Sequence, residues 1–249
     1  MAMILDKLDI DAARRIAQRA IKSVSMSNDA DKLNIWIAYM NMESQFGTQE
    51  SLEQVVKQAL EVNDRQKVYL QLISIYKQSD KFQYIEEIYK KLCKKYHTSV
   101  EIWSSYIEFL FEANEKSGDF TPAKTILSRS LQALPRASHI NIISKYGILE
   151  FRNAHPESGR TMFEGVVSNY PKRMDIWSIY MDMEVKYGQG AGKQGSNAVQ
   201  ARHLFERCLS LDDIQRKPKK MKLVFRKYME FEAALGNQKQ LDSLRQRVE

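Results

Sequence analysis

Residues 170–187, YPKRMDIWSIYMDMEVKY, followed by a glycine-rich insert and then by residues 198–211, AVQARHLFERCLSL, decide how this chain folds. In the first half, Trp177, Tyr180, Met181 and Glu184 recur at helical spacing and share one face. In the second half, Ala201, Leu204, Phe205, Cys208 and Leu209 do the same. Two amphipathic helices separated by a breaker make an antiparallel helical hairpin.

The design repeats. Trp36, Tyr39 and Glu43 precede VVKQAL; Trp103 and Tyr106 precede AKTILSRSL; Tyr146 and Glu150 follow Ile143, which stands in the tryptophan position; Phe225, Tyr228 and Glu232 come near the end. A recurrence of roughly 34 residues marks a stack of helical hairpins, each burying its apolar face on its neighbours. The spacing predicts an all-α solenoid over residues 1–249 as one repeat domain. Its units fall at about 8–25 (a half repeat), 31–62, 65–96, 99–134, 138–170, 173–211 and 219–249. Because 8–25 reads as a second helix without its first, the sequence is expected to begin inside a repeat, as a fragment of a longer protein.

Composition supports this class. The 249 residues are 43% hydrophobic and 28% charged, and no apolar run approaches the roughly 20 residues that a membrane helix needs. Residues 1–7 match neither a secretory nor a transit pattern. Cys93 and Cys208 lie on predicted apolar faces and are expected to be buried free thiols. A net charge of +7 with a pI near 9.2 is compatible with an acidic partner, either nucleic acid or an acidic protein surface.

Local signals set the expected helix boundaries. Asp31 or Asn34 is a candidate cap for the helix containing Trp36, which Gly47 ends; Thr48 or Ser51 caps the next, and Asn63 and Asp64 break it. Thr121 before Pro122 reads as a cap with proline at the first helical position, and Pro135 as a stop. Residues 155–158, HPES, read as a loop, and 212–220 as a basic connection. About 12 or 13 helices and essentially no strand are expected.

Each aromatic residue and the tyrosine three positions later can lodge between hairpins, a burial worth on the order of 2 to 3 kcal/mol per ring. The glutamate seven residues after the aromatic lies on the same face. A carboxylate there needs hydrogen bonds from a neighbouring helix, so Glu43, Glu150, Glu184 and Glu232 are read as structural. The pattern Trp-x-x-Tyr-x-x-x-Glu, followed by Ala-Arg-x-Leu-Phe-Glu-Arg-Cys-Leu at 201–209, resembles the half-a-TPR (HAT) repeat of RNA-processing factors. Residues 31–60, 170–188 and 217–236 are similar to the C-terminal HAT region of ribosomal-RNA-biogenesis proteins of the RRP-five type, called programmed cell death protein eleven in animals. That family also carries OB-type RNA-binding repeats, which this sequence lacks.

Motifs for chemistry are sparse. Residues 188–196, GQGAGKQGS, are no phosphate loop: Lys193 is followed by Gln194, position 187 is tyrosine, and a helix rather than a strand precedes them. The four histidines, 97, 139, 155 and 203, share no motif, no zinc pattern occurs, and no nucleophile stands with a base; no cofactor or metal is expected. The densest surface signal is RKPKKMKLVFRKY, with Arg216, Lys217, Lys219, Lys220, Lys222, Arg226 and Lys227. It is a candidate contact for RNA or an acidic partner, or else a solvated connection. Lys90, Lys91, Lys94 and Lys95 form a second cluster, where cations suit a helix C-terminus. No exposed aromatic platform accompanies either cluster.

The resemblance implies a right-handed α-solenoid acting as a non-enzymatic, nucleolar scaffold. It would hold proteins of the small-subunit processome, and pre-ribosomal RNA directly or through the absent repeats, with no membrane or small-molecule substrate. Two other readings stand beside it: a HAT scaffold of messenger-RNA splicing or 3′-end cleavage, and a direct RNA-binding module.

Overall fold

The structure, a computed structural model, describes residues 10–23, 29–153, 155–187 and 196–248. Among them every regular element is a helix. The order is α1 Ile10–Ser23, α2 Asp29–Phe46, α3 Gln49–Val62, α4 Arg65–Gln78, α5 Phe82–Lys95, α6 Val100–Asn114, α7 Thr121–Ala133, α8 Arg136–Arg152, α9 Pro156–Asn169, α10 Met174–Tyr187, α11 Ser196–Leu209, the single turn α12 Asp212–Gln215, α13 Pro218–Ala234 and α14 Gln238–Val248. The glycine-rich insert at 188–195 and the opening residues 1–9 lie outside the described residues.

Two compact units divide the chain, Met1–His97 and Thr98–Glu249. In the first, α2 packs on α1, on its hairpin partner α3 and on α4, while α4 packs on α3 and α5. In the second, the hairpins are α6/α7, α8/α9, α10/α11 and α13/α14, with α12 packed on α11 and α13. Each first helix there also meets the first helix of the next hairpin (α6 on α8, α8 on α10, α10 on α13). This neighbour-to-neighbour packing is that of an all-α solenoid of helical hairpins. The motif rings form its core: Trp36, Tyr39, Trp103, Tyr106, Tyr146, Trp177, Tyr180, Phe225 and Tyr228 are all buried. In the second unit the rings interleave, with Phe163 stacked on Tyr180 at 5.1 Å and Phe205 on Tyr228 at 4.7 Å between centroids. The α8/α9 hairpin is drawn together by two glycines. A Cβ on Gly159 would stand 2.5 Å from the Phe151 ring, and one on Gly147 would stand 2.9 Å from Phe163. In α1 no residue is buried and Ile16 is 58% exposed, since α2 is the one described helix packed on it.

Several boundaries differ from those read off the sequence. Asp31 and Asn34 lie within the helix and not before it, because α2 begins at Asp29. Thr48 and Ser51 turn out to be two halves of one capping box, each side chain bonding the other's backbone N–H. Asp64 caps α4 through the N–H groups of Gln66 and Lys67. Phe120, not Thr121, occupies the N-cap of α7, and the Asp119 carboxylate takes the Thr121 N–H at 3.0 Å. The HPES stretch is no loop: Pro156 opens α9, where its missing N–H costs nothing. Residues 212–220 likewise wind into α12 and the start of α13, leaving two residues, Arg216 and Lys217, as the link.

Candidate functional site

The recurring glutamates come first because they fix the geometry of everything around them. Glu43, Glu184 and Glu232 are buried to within 2% exposure, and each meets an arginine from the preceding hairpin's second helix. Arg14 on α1 donates from Nε to Glu43 Oε1 at 2.7 Å and from Nη2 to Oε2 at 2.9 Å. Arg160 on α9 donates to Glu184 on α10, from Nε to Oε2 at 2.9 Å. Arg202 on α11 donates to Glu232 on α13 at 2.6 and 2.9 Å. Two parallel N–H···O bonds to a desolvated carboxylate fix both distance and angle between helices. The Arg14 guanidinium, with the Ser51 hydroxyl, holds the Glu43 carboxyl below its usual range, while Glu43 in turn raises Arg14. Glu150 is buried too, but its neighbour is the Tyr146 hydroxyl, and Lys124 stands where the arginine would be.

A second set of bridges joins successive second helices. Arg207 on α11 donates to both oxygens of Glu164 on α9 at 2.9 Å, and Arg247 on α14 donates to both oxygens of Glu206 on α11 at 2.7 and 3.0 Å. Each arginine also lies over the motif ring of its own hairpin: Arg207 over Trp177 at 5.0 Å, Arg247 over Phe225 at 5.4 Å. Tyr180 donates its hydroxyl to Glu164 at 2.9 Å. These partners were not identified in the sequence. The signal for the first set was present as a small residue followed by arginine (Ala13-Arg14, Gly159-Arg160, Ala201-Arg202), 24 to 30 residues before each glutamate.

The seven basic residues singled out from sequence are brought together around α12 and α13, but they are not equivalent. Lys217 and Lys220 both donate to Asp213, at 2.7 and 2.6 Å, and their ammonium groups push its carboxyl down to about 2. Lys227 pairs with Asp182 on α10, and Arg226 lies 3.9 Å from Glu230. Arg216, Lys219 and Lys222 are exposed and meet no carboxylate among the described residues. Lys219, Lys222 and Arg226, at helical spacing, form one cationic strip on α13, with Arg216 just before its first turn.

A family model described as the C-terminal HAT repeat of the pre-mRNA-splicing factors Syf1/CRNKL1 matches residues 2–247. The chain belongs to the HAT-repeat family. It is 36% identical to the rRNA biogenesis protein RRP5 of Arabidopsis thaliana over 250 residues, all of this chain and 12% of the relative. To the human RRP5 homologue it is 35% identical over 93% of this chain and 12% of the relative. To the pre-mRNA-splicing factor CLF1 of Candida albicans it is 24% identical over 87% of this chain and 33% of that protein. The chain thus spans about an eighth of the length of these RRP5 relatives, matched along 93 to 100% of itself.

A cavity of about 300 Å³ lies where α9, α10 and α11 meet and is lined by Arg160, Glu164, Tyr180, Glu184 and Arg207, with His203. Arg160, Glu164, Tyr180, Glu184 and Arg207 are the bridges already described, paired with one another. Burial pushes the thiols of Cys93 and Cys208 up to about 12, so both are thiols rather than thiolates at neutral pH. Among the described residues no cluster of three His, Cys, Asp or Glu side chains is arranged to hold a metal, and no helix is long and apolar enough to cross a membrane.

Proposed function

We propose that this HAT array is a non-enzymatic docking scaffold in ribosome biogenesis, part of a longer protein of the RRP5 type. It works in the nucleolus and supports assembly of the small-subunit processome and early processing of pre-ribosomal RNA. The observation carrying this reading is the 35 to 36% identity, along essentially the whole chain, to proteins named for rRNA biogenesis. The physical design agrees with it. Buried aromatic rings and paired ions hold the hairpins rigid, and a rigid helical stack offers partners a preformed surface with little ordering cost. The strip of Arg216, Lys219, Lys222 and Arg226 adds a place for a polyanion, an RNA backbone or an acidic protein segment.

A scaffold of messenger-RNA splicing is the second reading, favoured by the description of the matching family model and by the weaker likeness to CLF1. Affinity purification of the protein that carries this chain, with crosslinked RNA sequenced, separates the two. Recovery of pre-ribosomal RNA and small-subunit assembly factors is the expected result; enrichment of spliceosomal RNAs in their place would overturn the ribosomal reading.

A further inference from the structure

Between α7 and α9 the second unit has an open groove of about 500 Å³, floored by α8. The repeat explains why it is open. In the two following hairpin pairs, successive second helices are tied by a glutamate and an arginine at fixed motif positions: Glu164 with Arg207, Glu206 with Arg247. Placing α7 and α9 on the same motif puts Ser128 where the glutamate stands and Gly165 where the arginine stands. Ile143 replaces the tryptophan over which that arginine would lie. All three substituted positions line the groove, and a Cβ on Gly165 would meet nothing within 4 Å. The missing clasp leaves half-buried Leu131, Ile143 and Met162 and the half-exposed ring of Tyr170 as the accessible apolar lining, over the buried Leu127, Ile140 and Val166.

The rim is one-signed. Lys124 and Arg136 line the groove and engage no carboxylate among the described residues, and no aspartate or glutamate lines it. His139, also on the rim, is tied by Nε2 to the Leu134 carbonyl at 3.0 Å. Lys124 occupies the clamp position at which other units hold a buried glutamate by arginine. Lys124 is nevertheless exposed and forms no ion pair among the described residues, which leaves its ammonium to a guest.

We infer that this groove is a docking site for an acidic amphipathic protein segment. The guest lays an apolar row on Leu131, Ile143, Met162 and Tyr170 and presents carboxylates to Lys124 and Arg136, in place of the bridge the repeat omits here. The accessible apolar lining favours protein over nucleic acid, whose backbone would leave it unmatched. The site is separate from the α13 strip and does not depend on which RNA-processing pathway the scaffold serves.

The full chain, immobilised, is panned with a phage library of random 16-residue peptides, and an S128E/G165R variant is panned in parallel. That variant rebuilds the clasp, and its helix is not strained, since Gly165 is mid-helix, open on its outer side and intrinsically the poorer helix former. Circular dichroism and thermal melting establish that it folds as the parent does, and Gly165→Ala serves as a variant that leaves the groove open. The expected outcome is enrichment, on the parent alone, of peptides with apolar residues at helical or alternate spacing and net negative charge. By fluorescence anisotropy, one such peptide should bind the parent and Gly165→Ala alike, at least about tenfold more weakly to S128E/G165R, and several-fold more weakly to K124E. Equal enrichment on parent and clasped variant, enriched peptides without an acidic excess, or displacement of the peptide by single-stranded polyuridylate would each overturn the assignment.

Discussion

Arg202 and Glu232 show at the scale of single residues how the stack is tied together. Glu232 is fully buried and takes two bonds from an arginine that is itself 30% exposed. Removing the arginine alone strands a buried charge, whereas removing both leaves an apolar contact. Arg202→Met is therefore expected to lose about 3 kcal/mol in urea unfolding, and Arg202→Met/Glu232→Met to regain most of it; an equal loss in the double variant would contradict a stranded charge as the cause. Acid should act through the same chemistry. Asp213, at about 2 when folded against an ordinary value of 3.8, and Glu43, lowered by Arg14, both bind protons less readily in the folded chain. Their contribution is complete above the ordinary carboxylate range and disappears as pH falls through the lowered folded values. Unfolding midpoints should thus be level from pH 7 to about 5 and fall below about 4, and Asp213→Asn should soften that fall; an unaltered acid limb would contradict it. The need of each glutamate for a partner was legible in sequence from its place on a buried face. The partner was not, because helical periodicity orders residues within an element and says nothing of which arginine on another element arrives opposite.

At the scale of elements, α9 and α13 begin earlier than the sequence reading places them, since 155–158 read as a loop and 212–220 as a connection. Pro156 and Pro218 instead stand at the first turn, where no backbone donor is needed. The difference matters for α13, since winding 218–234 into one helix turns a charged connection into a strip with a definite face. It also spends Lys217, Lys220 and Lys227 on carboxylates. Lys219→Glu/Lys222→Glu is expected to weaken binding of a polyanion such as structured RNA and to reduce its salt slope by about two, whereas Lys217→Gln should do much less; matched effects would place the contact elsewhere. On α9, Gly159 sits where neighbouring units carry alanine, yet its Cβ would stand 2.5 Å from Phe151 and 3.1 Å from the Gly147 carbonyl. Gly159→Ala should cost about 1 to 3 kcal/mol by forcing α8 and α9 apart, measured as a lowered melting temperature. A small residue stands at this position in α1, α7, α9 and α11, but that α8/α9 is the closest-packed hairpin shows only in the structure.

For the whole molecule, the all-helical solenoid was legible because ring, tyrosine and carboxylate recur at one spacing in most of the hairpins, and each recurrence repeats the same burial. What the repeat hides is variation between units: which pair of helices is clasped, which groove is open, which lysines remain unpaired. Those departures are where a scaffold differs from a mere stack, and they lie on surfaces that periodicity leaves free. The central claim is that this chain serves ribosome assembly through such surfaces. Its most direct measurement replaces the chromosomal copy of the protein that carries the chain with one lacking these 249 residues, and follows pre-ribosomal RNA by northern blotting. The account predicts accumulation of early, uncleaved precursors and loss of small-subunit RNA, with splicing unaffected; normal precursor levels in cells that express the shortened protein would contradict it.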